Sequence, residues 1–339
     1  MNINSKSNYN RNIYLVSRMF SLLNVISILL IAVSIYYLLF VSIPDLAFVA
    51  GAVLIYAVIR GLENKVLAFI NSQDNSFTPI DNTLYYEETK PLLFPGSRDS
   101  GKGVLFIHGF SASSTEFNIL LPDLEKQNIP YYSLSLSGFG SSAPEKLKTV
   151  VYEDWIYDAI KGYEIVSKLS DNVIVVAHSM GCLLALYLAS KYKLKNIILT
   201  SPYLTYKQSH KWYARVIASR VMLSLFVLFR PYVFKKSRSQ ELSDTKSKRF
   251  VYRAVPTQAI SQLWKLSEII EDIKLDAKKI SVLVGANDTT IETESVKTKL
   301  EKLKVLPDIH TFKNSGHNLF EGEEKVEVKK ILLEILSQI

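Results

Sequence analysis

The sequence predicts an α/β fold: a mostly parallel sheet with helices on both faces, a helical cap above it, and an apolar N-terminal appendage. Three observations carry this. After residue 100, continuous apolar runs alternate with stretches of helical spacing, the pattern of strands buried on both faces. The alternation lapses between Pro202 and about Ile270, where the chain is basic and helical in flavour. An uncharged stretch precedes all of it, from Met19 to Ile43.

The elements follow in order. Residues 1–18 form a tail. Met19 to Ile43 is long enough to cross a bilayer core of about 30 Å. Pro44-Asp45 breaks this run, and a second uncharged stretch, Leu46 to Ile59, ends at Arg60. Residues 19–70 are therefore expected to form a transmembrane hairpin, or a single span followed by an interfacial helix. Arg11 and Arg18 flank one end and Arg60 and Lys65 the other, with no positive charge at the turn. By the positive-inside rule the hairpin makes an integral membrane protein whose body faces the cytoplasm. If only the first span crosses, the body lies outside.

Residues 71–100 read as a linker into two short first strands, with Asn, Asp, Ser and Pro punctuation. The first part of the core is 101–201. It holds strands at 103–107, 130–134, 172–177 and 195–200, and helices at 152–169 and 181–192. The second part, 271–339, holds a strand at 279–284 and a last helix at 325–336.

Composition narrows the function. The 339 residues are 48% hydrophobic and 21% charged, which builds a core and excludes a disordered chain. The net charge is +8, yet twelve Lys/Arg lie between Lys207 and Arg253 against two acids, Glu241 and Asp244. So localised a patch suits lipid head groups or an anionic partner surface rather than nucleic acid. One cysteine, Cys182, permits no disulfide, and the five histidines lack metal-ligand spacing. No metal is expected.

The chemistry centres on Ala177-His178-Ser179-Met180-Gly181. Ser179 follows a buried strand and precedes a helix whose first residues are small. A serine on so sharp a turn stands proud of the sheet, and small neighbours let strand and helix approach. Ala177 replaces the more usual glycine, and a methyl group is expected to fit. His108-Gly109-Phe110 ends the neighbouring strand, so the backbone N–H groups of Phe110 and Met180 are the expected oxyanion donors. A serine needs a base. His317 lies in a loop before the last helix, and Asp288 directly follows the strand at 279–284, giving the order Ser…Asp…His. His108 is expected to brace its loop and His178 to be positional. His210 and His310 read as surface residues. Cys182 lies inside the helix and is a poor alternative nucleophile.

These stretches resemble bacterial carboxylesterases and monoacylglycerol lipases of the α/β-hydrolase fold. The resemblance rests on Val104-Leu-Phe-Ile-His-Gly-Phe110 with Ser114-Thr-Glu-Phe117, and on Leu136-Ser-Gly-Phe-Gly140. It continues through Glu153-Asp-Trp-Ile-Tyr-Asp158 with Gly162-Tyr163, Val175 to Gly181, Pro256-Thr-Gln-Ala259, Gly285 to Asp288 and Ser315-Gly-His317. It implies ester hydrolysis through an acyl-enzyme without a cofactor, and a cap at 202–270 over the acyl pocket. Ala177 and Cys182 depart from the pattern, where glycines are common, and so does the membrane segment.

Within the cap, Val216 to Phe234 is strongly apolar and bounded by Arg215, Arg220, Arg230, Lys235 and Lys236. It suits either a lid dipping into the membrane interface or an ordinary cap helix. Leu223, Phe226 and Phe229 are its candidate substrate contacts. The expected substrate is a mono- or lyso-acyl lipid. A peptidase or thioesterase of the same fold and a non-catalytic membrane interaction protein are the alternatives. An aminopeptidase needs carboxylates for its substrate's amine, and the cap has few.

Overall fold

The structure is a computed structural model. It describes residues 19–20, 22–33, 35, 46–73, 86–141, 143–204, 227, 230–234, 249–271, 273–275 and 277–339.

Seven strands form the main sheet: β1 (Leu92–Phe94), β2 (Gly103–Ile107), β3 (Tyr131–Ser133), β4 (Val173–His178), β5 (Leu194–Thr200), β8 (Ala277–Gly285) and β9 (Asp308–Phe312). Their spatial order is β1-β3-β2-β4-β5-β8-β9. β1 runs antiparallel to β3, and every other neighbouring pair is parallel. The mostly parallel sheet expected from the apolar runs is present. From β2 the chain steps to β3 on one side, then returns to place β4 on the other. That reversal makes a switch point, with a crevice at the carboxyl ends of β2 and β4.

Side chains alternate along the strands, so the sheet feeds two cores. Leu105, Ile107, Val175 and Ala177 point to one face. There they meet α4 (Tyr152–Leu169) and α5 (Met180–Lys191), against which α6 (Thr257–Ile270) packs. Val104, Phe106, Ile174 and Val176 point to the other, towards Leu121 and Leu124 of α3 (Leu121–Lys126) and Val328 and Leu332 of α8 (Lys325–Ser337). Within the 202–270 insertion a two-stranded antiparallel sheet pairs β6 (Tyr232–Phe234), at the end of the apolar stretch, with β7 (Ala254–Pro256). Between β8 and β9 lies α7 (Thr293–Lys302).

The strand β9 and the helices α3 and α7 were not apparent in the sequence. β9 is an edge strand with one fully buried residue, Phe312, so it lacks an apolar run. The described part of 71–100 holds one strand, β1, where the sequence suggested two.

At the N-terminal end residues 22–33 form α1, and Leu46–Gln73 forms α2. The transmembrane expectation finds no support in the described residues. Among the described residues no helix is long and apolar enough to cross a membrane. The second expected span, Leu46 to Ile59, is only the first half of α2, which continues without a break through Arg60, Glu63, Asn64 and Lys65. The first expected span lies partly outside the described residues.

The two helices are built with polar groups inward. Asn24, Ser27 and Glu63 are buried. Asn24 Nδ2 donates to Glu63 Oε2 at 3.4 Å, and Arg60 pairs with the same oxygen at 2.8 Å. Of the seventeen large hydrophobic side chains that stand exposed among the described residues, twelve lie between Met19 and Leu62. Asn64 ties α2 to the body, its Oδ1 accepting from Tyr232 Oη at 2.7 Å and from Lys148 Nζ at 3.4 Å.

Candidate active site

Ser179 sits on the turn between β4 and α5 with φ 50° and ψ −113°. For a residue with a side chain this is a strained backbone, held only because its surroundings fix it. Ser179 N–H donates to Thr200 O at 2.9 Å, and Ser179 O accepts from the N–H of Cys182 and of Tyr203 at 3.1 and 3.2 Å. Gly181 is obligatory, because a Cβ there would collide with Ile107 O and lie 2.8 Å from His108 O. Ala177 is wholly buried in the core, so its methyl group fits as expected.

His317 bridges the other two expected residues. Its Nε2 lies 2.9 Å from Ser179 Oγ, and its Nδ1 lies 2.7 Å from Asp288 Oδ2. A carboxylate only accepts, so Nδ1 carries the proton and Nε2 is left to accept from the serine hydroxyl. Asp288 also takes the N–H of Thr290 and Ile291 on Oδ1, at 2.7 and 3.1 Å. Burial works to raise its pKa. The hydrogen bond and charge of His317, with those two N–H groups, outweigh burial and hold it below the ordinary carboxylate value. The two loops are stapled together: Ala286 N–H donates to Phe312 O at 2.8 Å and Asn287 N–H to Ser315 O at 3.0 Å. Ser315 Oγ and Asn314 N–H both bond Glu324 Oε2, at 2.6 and 3.0 Å. The chain Ser179–His317–Asp288 can thus pass a proton from the hydroxyl to a held imidazole whose positive form has a counter-charge.

Gly109 lies against the elbow; a Cβ on it would sit 3.2 Å from Ser179 Cβ and 3.0 Å from His178 Cδ2. This brings the 108–110 loop, with Phe110, beside the turn that carries Met180. His108 braces two loops, its Nε2 accepting Leu136 N–H at 3.0 Å while Nδ1 meets Gly109 O at 2.9 Å. Burial pushes its pKa down to about 4. His178 bonds Thr200 Oγ1 at 3.0 Å and stacks obliquely on His317, ring centres 5.2 Å apart. Burial lowers it likewise to about 4. Cys182 is buried, its thiol directed at Ala177 O and Thr200 O, and burial raises its pKa well above the usual value. It is no nucleophile at neutral pH.

Two residues at this site were not singled out by sequence. Glu116 is fully buried behind the 108–110 loop, where its Oε2 accepts Gly109 N–H at 2.6 Å. Arg249 reaches it from within the 202–270 insertion, Nε lying 3.1 Å from Glu116 Oε1 and Nη2 pairing with the same oxygen. His310 is half-buried near the sheet edge, 3.5 Å from Asp308. Leu223, Phe226, Phe229 and His210 lie outside the described residues.

Comparisons with known proteins agree with this architecture. Residues 99–325 match the family described as serine aminopeptidase, S33. A curated relative, "Probable lysophospholipase BODYGUARD 4" of Arabidopsis thaliana, is 33% identical over 108 residues; the match covers 31% of this chain and 26% of that relative's length. A solved structure from work on LipS and LipT, two metagenome-derived lipolytic enzymes, superposes with a TM-score of 0.63 at 16% identity, covering 75% of this chain and 100% of its own. The monoacylglycerol lipase of Paleococcus ferrophilus gives 0.56 at 18% identity over 73% and 97% of the two chains. At these identities the structural likeness concerns the fold. The sheet, the elbow between β4 and α5 and the matched residues make this chain a member of the serine aminopeptidase S33 family of α/β-hydrolase fold proteins.

Proposed function

We propose that the protein is a serine hydrolase that cleaves carboxylic esters of mono- or lyso-acyl lipids at a membrane surface, through an acyl-enzyme on Ser179. The observation that carries this reading is the hydrogen-bonded line from Ser179 Oγ through His317 to Asp288, at 2.9 and 2.7 Å. Ser179 Oγ attacks the ester carbonyl while its proton passes to His317 Nε2. The C–O bond to the alcohol breaks, and the alcohol leaves with that proton. A water then gives a proton to His317 and attacks the acyl-serine, releasing the fatty acid and restoring the hydroxyl. Phe110 and Met180 N–H groups stabilise the oxyanion, each donor contributing about 3 kcal/mol. No cofactor takes part.

The lipid assignment draws on the relatives' printed activities and on the outward apolar face of α1 and α2. That face suits attachment to a leaflet rather than a crossing. The basic flanks Arg60 and Lys65, with Arg11 and Arg18, favour the anionic cytoplasmic leaflet. An aminopeptidase would have to hold a free amine. The buried carboxylates Asp288 and Glu116 are already committed to His317 and to Arg249, which favours an ester over a peptide.

The test is turnover of monoacylglycerol, lysophospholipid and p-nitrophenyl acyl esters by the full chain and by Ser179→Ala. The proposal expects ester turnover that the substitution abolishes. Equal rates in both proteins, or hydrolysis of aminoacyl amides alone, would overturn it. Protease accessibility of the body in right-side-out and inverted vesicles reports the leaflet.

A further inference from the structure

The charged knot behind the oxyanion loop is larger than packing requires. Glu116 lies on the turn after that loop, and its side chain has no exposed surface. Burying a carboxylate costs several kcal/mol unless it is paired and hydrogen-bonded. Here it is both. One oxygen takes Gly109 N–H at 2.6 Å, a charge-assisted bond. The other takes two nitrogens of Arg249. Arg249 also reaches Glu321 Oε2 at 3.2 Å, four residues past His317. The chain after Arg249 stays on the same loop: Phe250 N–H donates to Thr115 Oγ1 at 2.8 Å, and Tyr252 N–H to Ser111 O at 2.7 Å. One buried ion pair therefore touches the loop of the expected oxyanion donor, the chain returning from the insertion, and the turn that follows the base.

We infer that Glu116 and Arg249 form a positioning pair for the oxyanion site: Glu116 fixes the peptide before Phe110, and Arg249 cancels the carboxylate's charge. The inference rests on the function proposed above. Glu116 cannot act on substrate itself, being sealed behind the loop. By anchoring Gly109 N–H it leaves only the dihedrals of one residue between a rigid point and the Phe110 N–H. A donor displaced by a fraction of an ångström loses much of its transition-state advantage. An uncompensated carboxylate near this loop would oppose the developing oxyanion, so the arginine is needed for its charge as well as its contacts. Burial works against ionisation of Glu116, yet the nearby His178 imidazole, the Arg249 guanidinium and Gly109 N–H together bring its pKa down to about 2.

The test uses the full chain, with active sites counted by the burst of p-nitrophenol. Glu116→Gln, Arg249→Lys, Arg249→Met and the double variant Glu116→Gln/Arg249→Met are compared for kcat, KM and affinity for a trifluoromethyl ketone, which forms a tetrahedral adduct. Glu116→Gln is expected to lower kcat per titrated site by about 10–100-fold, with KM changed less than threefold and ketone affinity falling in step. Arg249→Met should lose more than Arg249→Lys, and the double variant should recover part of that loss because no stranded carboxylate remains. Wild-type kcat and ketone affinity per titrated site in the four variants would overturn the inference. If Glu116→Gln fails to fold, the comparison of Arg249→Lys with Arg249→Met decides it: kcat per titrated site and ketone affinity must fall further in Arg249→Met, and equal values in the two overturn the inference. Undiminished turnover by Ser179→Ala would instead refute the underlying mechanism, so the two failures are distinct.

Discussion

The body and the N-terminal helices solve opposite problems. In the body, β2 and β4 carry apolar side chains on both faces and every residue of both strands is buried. Along α1 and α2 the polar groups Asn24, Ser27 and Glu63 are the buried ones, and Leu22, Leu29, Leu54 and Leu62 stand more than half exposed. Water drives the first arrangement. Under the membrane attachment proposed above, the second fits an apolar outer medium in which the polar groups must satisfy each other. An exposed apolar face of this extent marks an interaction surface. The contrast separates a body with a buried apolar core from a helix pair with an apolar outer face, joined where Asn64 meets Tyr232 and Lys148.

That separation can be broken by changes that should affect one region only. The largest effect is expected of Ser179→Ala, which should lower ester turnover on the order of 10^6-fold and leave flotation with anionic vesicles unchanged. Coupled losses would mean that attachment and chemistry share residues. Next in size, Leu105→Ala in the fully buried β2 should cost about 2–5 kcal/mol in urea unfolding. Leu54→Ser, at a side chain 65% exposed, should leave the body's unfolding unchanged and weaken vesicle binding by about tenfold. A large stability loss from Leu54→Ser would show that the helix face is covered by protein.

Acid should weaken the body in a defined window. The unfolded chain takes protons on His108 and His178 near pH 6.5, but burial holds both folded imidazoles neutral down to about 4. The unfolded state therefore binds more protons between those values, and stability falls as pH drops from 6.5 towards 4, by about 3 kcal/mol for each histidine as an upper bound. Stability that stays flat over this range would contradict their neutral burial. The smallest effect is expected of Gly61→Ala in α2. A Cβ there meets nothing within 4 Å, so the helix should gain about 0.5–1 kcal/mol, whereas Gly181→Ala in the body should be destabilising.

The sequence exposed what is local. Strands β2, β4, β5 and β8 were legible because burial on both faces leaves an unbroken apolar run. The turn at Ser179 was legible because strand, turn and small residues are contiguous. Asp288 and His317 followed from their places after a strand and before a helix. Pairings across long separations were not legible. Arg249 read as one of twelve bases in a cationic stretch; its partner Glu116 is 133 residues away. Asn24 and Ser27 lie in a run legible only as uncharged, and their burial, with Asn24 against Glu63, 39 residues on, shows which side of the helix faces protein. β9 escaped because an edge strand needs no apolar pattern.

The most direct measurement is the location of the acyl group. The full chain is mixed with a p-nitrophenyl acyl ester, quenched in acid within the burst, digested and mapped by mass spectrometry. The account predicts one adduct, equal in mass to the acyl chain, on the peptide containing Ser179, and its disappearance in Ser179→Ala. Turnover with the adduct on another residue, or an adduct that persists in Ser179→Ala, would contradict it.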